Sequence, residues 1–406
     1  METYELAIIG AGPAGLMAAI TASQKCRDII LLEKNEFIGR KVLATGNGRC
    51  NLTNKNISSD NYHGASAAFI ESILRKFNQD QTMGFFESSG VALKEEDRGR
   101  IFPRSNQAST IVEAFKNAIE ESDITLKTGI NVKSVNRGSR FIIKTEDGQI
   151  FEAKKLILST GGKASFQFGS SGDGIFWAGK LGHRIVPVFA ALVPIETREI
   201  WVKEIQGIKI DAIITTKVEN KTIQKSAGDC LFTNFGLSGS AVMAQAGKIS
   251  PLIGINTVKI FIDLYPEITE ENLDQKLDQI FKINIRKTLS NSLAGLFSAR
   301  LVPVILNLAE VDQNINASKI SKTERHRIVK CIKGMELTVK KVRPLKEAQV
   351  SRGGIDTAEI NQNTLESKLI KGLYFAGEIM DVDGDSGGFN LQWAWSSGFT
   401  AGQSCQ

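Results

Sequence analysis

Three glycines and one glutamate near the start of the chain have types and spacing that could bind a nucleotide. Gly10, Gly12 and Gly15 form the pattern G-x-G-x-x-G, which follows the apolar run 6–9 and precedes a helical pattern. Glu33 ends a second apolar run, at the distance that a strand–helix–strand unit requires. The glycines of such a unit allow a tight turn, backbone approach to a pyrophosphate and close helix–strand packing, while the acid binds ribose hydroxyls. The pattern predicts a dinucleotide site, and the alternative is a glycine-rich turn that binds nothing.

Two later segments favour FAD over NAD as that dinucleotide. Residues 154–162 form an apolar strand that ends in a Thr-Gly-Gly turn, which suits close approach by a large ligand. A second such strand, 373–376, precedes Glu378, which resembles the ribitol-binding acid of glutathione-reductase-like flavoproteins. A helical pattern follows and would point its first amides, at 387–390, towards the flavin. An NAD domain needs no returning segment of this kind.

Residues 39–54, GRKVLATGNGRCNLTN, lie where an extended FAD would run from its adenosine towards its ring. Arg40 and Lys41 suit phosphate or ribityl contacts, and the glycines with Asn51 would let the backbone lie against the isoalloxazine. The full set of candidate FAD-binding residues is Gly10, Gly12, Pro13, Ala14, Gly15, Glu33, Lys34, Arg40, Lys41, Thr45, Gly46, Gly48, Asn51, Val132, Thr160, Gly161, Gly162, Gly377, Glu378, Gly388, Asn390 and Leu391.

The motif at 39–54, together with DSGGFNLQWAWSSG at 385–398, resembles the bacterial YhiN/BaiN-type FAD-binding flavoprotein family, and the resemblance runs over the whole chain. That family includes aminoacetone oxidase-like and rRNA dihydrouridine synthase-like members, and its BaiN-type members are linked to bile-acid double-bond reduction. The resemblance implies an α/β fold with a doubly wound, glutathione-reductase-like Rossmann FAD domain. A mixed β-barrel and helical insert is expected to interrupt that domain.

The predicted domain boundaries follow from where the FAD segments fall. Residues 1–191 are expected to form the first part of the FAD domain, and 343–406 its returning part. The insert, 192–342, contains short β-runs with turn chemistry in 192–266. Its second part, 267–342, is predicted to be helical and basic.

The resemblance implies an FAD-dependent oxidoreductase that reduces an activated C=C bond, with uridine in large-subunit rRNA as the leading substrate. A steroid-like or small enone is the second possibility, and an oxygen-using amine oxidase is the third. The chain has no second strand–GxGxxG–helix unit. NAD(P)H, as electron donor, would therefore dock transiently over the flavin. Disulfide reductases of this class carry a redox-active cysteine pair early in the FAD domain, whereas Cys50 stands alone at that place, which argues against disulfide-reductase chemistry.

A C=C reduction also needs a proton donor within reach of the substrate. Cys50 lies beside the expected ring position, and a lowered pKa is expected for a thiol near a flavin and Arg49. The alternative is a small packed thiol that fits a tight turn. Arg49 suits an electrostatic contact to an oxyanion or a flavin carbonyl. Asn390 and Gln392 are candidates to contact the flavin edge, with helix capping as the other role for Asn390.

Positive charge is concentrated in the predicted insert. The net charge of the chain is +6, and residues 282–346 contain 14 Lys/Arg against 4 Asp/Glu. Lys319, Lys322, Lys330 and Lys333 recur at helical intervals. Such a stripe would attract the phosphate backbone of rRNA. A solvated surface helix is the alternative.

Composition argues against several other classes. The 5 cysteines are scattered without a C-x-x-C pair, and the 3 histidines lack ligand spacing, so neither a disulfide framework nor a metal site is expected. No apolar run approaches the roughly 18 residues of a membrane span. The first strand is expected near residue 4, which leaves no room for a signal peptide, and a cytoplasmic location follows as an expectation.

Overall fold

The computed structural model describes residues 2–405, and the chain divides into two compact units. Unit 1 comprises residues 1–189 and 349–406, and unit 2 comprises residues 190–348. Each unit has its own apolar core. Unit 2 ends at residue 348, whereas the insert was predicted to end at residue 342. Arg343 belongs to unit 2 because its backbone N–H donates to the Pro194 carbonyl and its guanidinium pairs with Glu196.

The described residues form strands and helices that we number in chain order. The strands are β1 (Glu2–Ile9), β2 (Ile29–Leu32), β3 (Thr53–Asn54), β4 (Tyr62–Gly64), β5 (Leu93–Glu96), β6 (Arg100–Pro103), β7 (Ile124–Lys127), β8 (Val132–Arg137), β9 (Phe141–Thr145), β10 (Ile150–Leu158), β11 (Ile185–Ala191), β12 (Ile195–Thr197), β13 (Lys209–Val218), β14 (Lys221–Phe232), β15 (Gly236–Ser238), β16 (Val258–Asp263), β17 (Met335–Val342), β18 (Val350–Ile355), β19 (Leu373–Phe375) and β20 (Val382–Gly384). The helices are α1 (Pro13–Ser23), α2 (Arg40–Ala44), α3 (Ala67–Leu74), α4 (Gln79–Ser88), α5 (Ser109–Glu120), α6 (Asp173–Lys180), α7 (Ser240–Met243), α8 (Ala246–Ile249), α9 (Glu270–Ile283), α10 (Leu289–Leu293), α11 (Leu301–Leu308), α12 (Lys322–Lys333) and α13 (Phe389–Ser404).

The central sheet of unit 1 has the strand order β7-β2-β1-β10-β9-β8, and β19 also pairs with β10. Strands β7, β2, β1, β10 and β19 are mutually parallel, whereas β8, β9 and the first half of β10 form an antiparallel meander. Ile9 lies opposite Leu158, and Leu158 lies opposite Phe375. The strands therefore end level with one another. The three turns that carry the predicted ligand-binding residues follow at the same edge, where ligands of open α/β sheets bind.

Helix α13 packs directly against α1 in unit 1. A β-carbon added at Gly398 would lie 2.3 Å from the Ala14 carbonyl oxygen, and one at Gly402 would lie 2.4 Å from that of Ala18. These two glycines let the backbones of the helices meet. Among the described residues, no helix is both long and apolar enough to cross a membrane.

Unit 2 contains a closed antiparallel barrel with the strand order β12-β15-β14-β13-β16-β17. Its helices α9 to α12 lie between β16 and β17 in the chain. The prediction that 267–342 is wholly helical is wrong at its end, because Met335–Val342 is the strand that closes the barrel between β12 and β16. Helix α9 has a side-chain cap at its start, since the Thr269 side chain accepts the N–H of Asn272.

Candidate active site

The glycine loop between β1 and α1 gives each of its three glycines a separate role. Gly10 has a φ of +102°, which favours glycine in this tight turn. A β-carbon at Gly15 would lie 1.8 Å from the Gly10 carbonyl oxygen and 2.5 Å from Ser159 Oγ, so close packing requires glycine there. A β-carbon at Gly12 would meet nothing within 4 Å. The space in front of Gly12 and the first amides of α1 thus fits a pyrophosphate.

Glu33 lies at the end of β2 and is held beside this loop. One carboxylate oxygen accepts the backbone N–H of Ala11 at 2.7 Å, and the other accepts that of Asn35 at 2.9 Å. Lys34, the next residue, donates from Nζ to Ser171 Oγ at 2.6 Å. The acid is therefore in the place predicted for a ribose contact, while Lys34 ties this region to the loop before α6.

The turns after β10 and β19 meet around one carboxylate. Glu378 accepts the backbone N–H of Ser351 at 2.9 Å and forms an ion pair with Lys41 Nζ at 2.6 Å. A β-carbon at Gly162 would lie 2.7 Å from Glu378 Oε1, so glycine is needed for this approach. Thr160 Oγ1 is shielded from solvent and makes no hydrogen bond within residues 2–405. These groups lie where a ribityl chain was predicted, and Thr160 offers it an unused hydroxyl.

The segment 39–54 folds back on itself and reaches the start of α13. Gly46, Asn47, Gly48 and Cys50 all have positive φ angles, from 57° to 83°. Such a run favours glycine and asparagine and explains the composition of the segment. In the orientation that satisfies both of its polar atoms, the Asn51 side chain accepts the Gly388 N–H at 3.1 Å and donates to the Thr53 carbonyl at 3.3 Å.

The first turn of α13 is fixed by its own side chains. Asn390 accepts the Gly384 N–H at 2.8 Å and donates to the Gly384 carbonyl at 2.8 Å, so its side chain is occupied by the preceding loop. Gln392 is buried and donates to the Phe77 carbonyl and to Thr82 Oγ1, which removes it from the flavin edge. The Asn390 side chain therefore does not cap α13, which has no side-chain cap, and the capping alternative stated for it is wrong. The backbone amides of this turn remain as donors to a ligand.

The two predicted catalytic residues have different environments. Arg49 forms an ion pair with Glu96 and stacks over the Phe102 ring, with 4.3 Å between the guanidinium carbon and the ring centroid. Hydrogen bonds from Lys94 and Arg49 lower the pKa of Glu96 to about 2. The expectation of a lowered pKa at Cys50 is wrong: the thiol has no solvent exposure, and burial raises its pKa to about 12. The structure thus favours the packed-thiol alternative.

The remaining candidates lie around the same sheet edge or on the sheet itself. Arg40 donates to the Asn35 side chain at 3.0 Å, and Thr45 donates its hydroxyl to the Val42 carbonyl. Val132 is buried at the start of β8, on the meander. The other candidates, which contribute loop backbone or helix-start positions, are Pro13, Ala14, Gly161, Gly377 and Leu391.

Sequence reasoning missed a polar cluster on β4, β18 and β20. Arg352 forms a two-bond ion pair with Asp383, at 2.8 and 2.9 Å, and His63 Nε2 lies 3.0 Å from Asp385 Oδ1. The acids occur at alternate positions in the run DVDGD, which was visible in the sequence. Their basic partners come from elsewhere in the chain, so the pairing itself left no local signal.

These features fit an FAD: open space at Gly12, the free amides at the starts of α1 and α13, and a shielded hydroxyl at Thr160. With the parallel sheet, they define an FAD-dependent oxidoreductase. The chain belongs to the HI0933-like family, which is also the YhiN/BaiN family, since the family description "HI0933-like protein Rossmann domain" matches residues 4–404.

Full-length relatives carry two kinds of name. A 3-dehydro-bile acid delta(4,6)-reductase from Clostridium scindens is 34% identical over 401 residues, which cover 98% of each chain. A ribosomal RNA dihydrouridine synthase from Haemophilus influenzae is 30% identical over 407 residues, covering 98% of each. The protein of the same name from Escherichia coli is 29% identical over 406 residues, covering 99% of this chain and 98% of its own.

Proposed function

We propose that this enzyme reduces a C=C bond conjugated to a carbonyl, with NAD(P)H as electron donor and a uridine of large-subunit rRNA as substrate. The observation that carries the proposal is the full-length match to relatives whose names describe two such reductions. A uracil ring and a 3-oxo-4,6-diene both place the double bond in conjugation with a carbonyl. One chemistry therefore accounts for both names.

The residues described above have separable tasks in such a reaction. When bound, reduced FAD supplies the hydride that the carbon β to the carbonyl receives. The amides at the starts of α1 and α13 would donate to its pyrophosphate and ring ends, and the Glu378–Lys41 pair would bind its ribityl chain. Arg49 is partly exposed beside Glu96 and can stabilise negative charge that develops on a substrate carbonyl.

The electron donor is proposed to dock and leave before the substrate binds. The sequence contains one dinucleotide motif, which FAD would occupy. All five cysteines are free thiols, which supports a reducing compartment such as the cytoplasm, where NAD(P)H is plentiful.

The choice of rRNA rests on helix α12 and the turn before it. Lys319, Lys322 and Lys330 are exposed and are suited to phosphate contacts. Lys333, the fourth residue of the predicted stripe, is instead held by Asp263 at 2.7 Å and by the Tyr265 carbonyl at 2.9 Å. The proposed RNA contact therefore uses three lysines rather than four. An enone of bile-acid type is the second candidate, favoured by the 34% identical relative.

The deciding experiment supplies the FAD-loaded enzyme with NAD(P)H and separate acceptors under anaerobic conditions. We expect mass spectrometry to find dihydrouridine in large-subunit rRNA that was isolated without this modification. A 3-oxo-4,6-diene bile acid is the parallel acceptor, and a separate aerobic assay with aminoacetone tests oxidase chemistry. If the enzyme saturates the C=C bond of the bile acid but not that of uridine, the substrate is an enone rather than rRNA. Amine-dependent oxygen consumption with no C=C reduction would overturn the proposal.

A further inference from the structure

His63 and Asp385 form a side-chain pair that the reaction assigned so far does not use. His63 Nε2 lies 3.0 Å from Asp385 Oδ1, and the two side chains are 18% and 30% exposed. Strand β4, which carries His63, pairs with β20 so that His63 lies opposite Asp383. The Asp385 N–H donates to the Asn61 carbonyl at 2.8 Å. Backbone hydrogen bonds on both sides thus hold the imidazole against the carboxylate, within reach of solvent.

Asp385, the carboxylate of the pair, lies in the loop that leads into α13, beside the proposed flavin end of the site. Asn390 donates to the carbonyls of Gly384 and Asp385, which fixes the loop to the helix. Asn54, at the end of the glycine-rich segment, donates to the Gly387 carbonyl at 2.9 Å. Asp385 precedes Gly387 by two residues, which span at most about 7 Å of chain. The imidazole therefore lies near the first amides of α13.

The other titratable side chains around β4 and β20 already have hydrogen-bond or ion-pair partners and are less suited to proton transfer. Asp383 is bound by Arg352 and has 3% exposure, and Asp381 accepts a backbone N–H while burial raises its pKa. Tyr62 donates to a backbone carbonyl, and burial raises its pKa as well. His63, by contrast, combines solvent access and a carboxylate partner with an Nδ1 atom that makes no hydrogen bond within the described chain.

We propose that His63 donates the proton of the C=C reduction and that Asp385 orients its ring. The inference rests on the proposed function, since the proton is needed only when a double bond is saturated. Substrate, NAD(P)H and one proton give saturated product and NAD(P)⁺. The β-carbon gains the hydride equivalent, the π electrons of the bond form the new C–H bond with the proton that leaves His63, and water reprotonates the imidazole.

The test separates flavin reduction from flavin reoxidation by anaerobic stopped-flow absorbance. In His63→Gln we expect NAD(P)H to reduce the flavin within about twofold of the wild-type rate. Reoxidation by dihydrouridine-free rRNA, or by the 3-oxo-4,6-diene bile acid, should slow by about 100-fold or more because the proton donor is gone. Asp60→Asn is the matched control, since Asp60 is exposed three residues before His63. Both rates should be unchanged in that variant.

Two variants of Asp385 keep the proposal testable even where His63→Gln releases FAD. Asp385→Asn should slow only the reoxidation step, and Asp385→Glu should restore most of that rate because it returns a carboxylate to the ring. Unchanged reoxidation in both His63→Gln and Asp385→Asn would overturn the assignment of His63 while leaving the proposed function intact. A wild-type enzyme that saturates neither acceptor would overturn the function and this assignment together.

Discussion

At the scale of single residues, the structure separates groups that shape the cofactor site from groups that face it. Gly10 and Gly15 shape the first turn, whereas Gly12 borders open space. The same division applies to two neighbouring residues of the segment 39–54. The Arg49 side chain is partly exposed to solvent, and the Cys50 side chain is fully buried. Each of these differences predicts a different mutant phenotype.

Replacing Gly12 and Gly15 by valine should give opposite results. The Gly12→Val protein should fold but lose FAD, because its side chain would occupy the space predicted for the pyrophosphate. The Gly15→Val protein should fail to fold stably, since its β-carbon would overlap the Gly10 carbonyl. Absorbance at flavin wavelengths after gel filtration, with thermal melting of both proteins against the wild-type apoprotein, distinguishes the outcomes. Full FAD retention in Gly12→Val would contradict the assigned role of that glycine.

Cys50→Ala should leave catalysis nearly unchanged. The buried thiol has a pKa of about 12 and no exposure, so it neither ionises near neutral pH nor meets a substrate. We expect turnover within about twofold and a loss of about 1 kcal/mol in stability from the small cavity. Steady-state rates and denaturant unfolding measure the two effects. A large fall in turnover with FAD still bound would return Cys50 to the catalytic set.

At the scale of elements, the basic residues of helix α12 fall into two groups: some form ion pairs with neighbouring elements, and others are exposed to solvent. Arg325 is held by Asp274 and Asp278 of α9, and Lys333 is held by Asp263. These pairs hold the helix against α9 and β16 of the same unit and leave Lys322 and Lys330 exposed. The periodicity of the lysines was visible in the sequence. The acidic residues that form ion pairs with Arg325 and Lys333 lie far away in the chain, so these pairs could not be predicted.

Neutralising the exposed lysines should weaken RNA binding without altering the flavin. The triple variant Lys319→Gln, Lys322→Gln and Lys330→Gln removes three proposed phosphate contacts. The slope of log affinity against log salt should therefore fall by about three units. Fluorescence anisotropy with an rRNA fragment over a salt series measures the slope, and the flavin spectrum serves as the check on folding.

The matched control changes the same number of charges on unit 1. Lys116, Lys133 and Lys154 are exposed and form surface ion pairs with single glutamates. Their replacement by glutamine should alter the salt slope much less than the α12 triple variant does. Equal slopes for the two triple variants would show that α12 is not the RNA-binding surface.

At the scale of the whole molecule, the sequence predicted more of the FAD fold than of the chemistry. The glycine motif and the late strand before Glu378 are local sequence patterns. Each of them correctly predicted a strand and the turn that follows it at the edge of the sheet. The closing strand β17 was missed because its partners β12 and β16 are far away in sequence. His63 was missed for the same reason, since Asp385 lies on the other side of the insert.

The separate cores of the two units predict a local response to cofactor. FAD at about 100 times its dissociation constant should stabilise the unit that binds it by about 2.7 kcal/mol. Hydrogen exchange by mass spectrometry, on apoprotein and holoprotein, should show about 100-fold slower exchange in the globally protected amides of unit 1. Peptides from the barrel strands of unit 2 should exchange at the same rate in both forms. Equal protection throughout the chain would contradict independent stability of the units.

The close packing of α1 on α13 through Gly398 and Gly402 has a consequence for biosynthesis. A ribosome makes the glycine loop first and the helix that supports it hundreds of residues later. The part of unit 1 that would hold the cofactor therefore stays incomplete on the nascent chain, while we expect the uninterrupted stretch 190–348, with its own core, to fold as soon as it emerges. We therefore expect flavin loading to be the last event of maturation, and a chain truncated before α13 to accumulate as a folded barrel attached to an unfolded nucleotide-binding half.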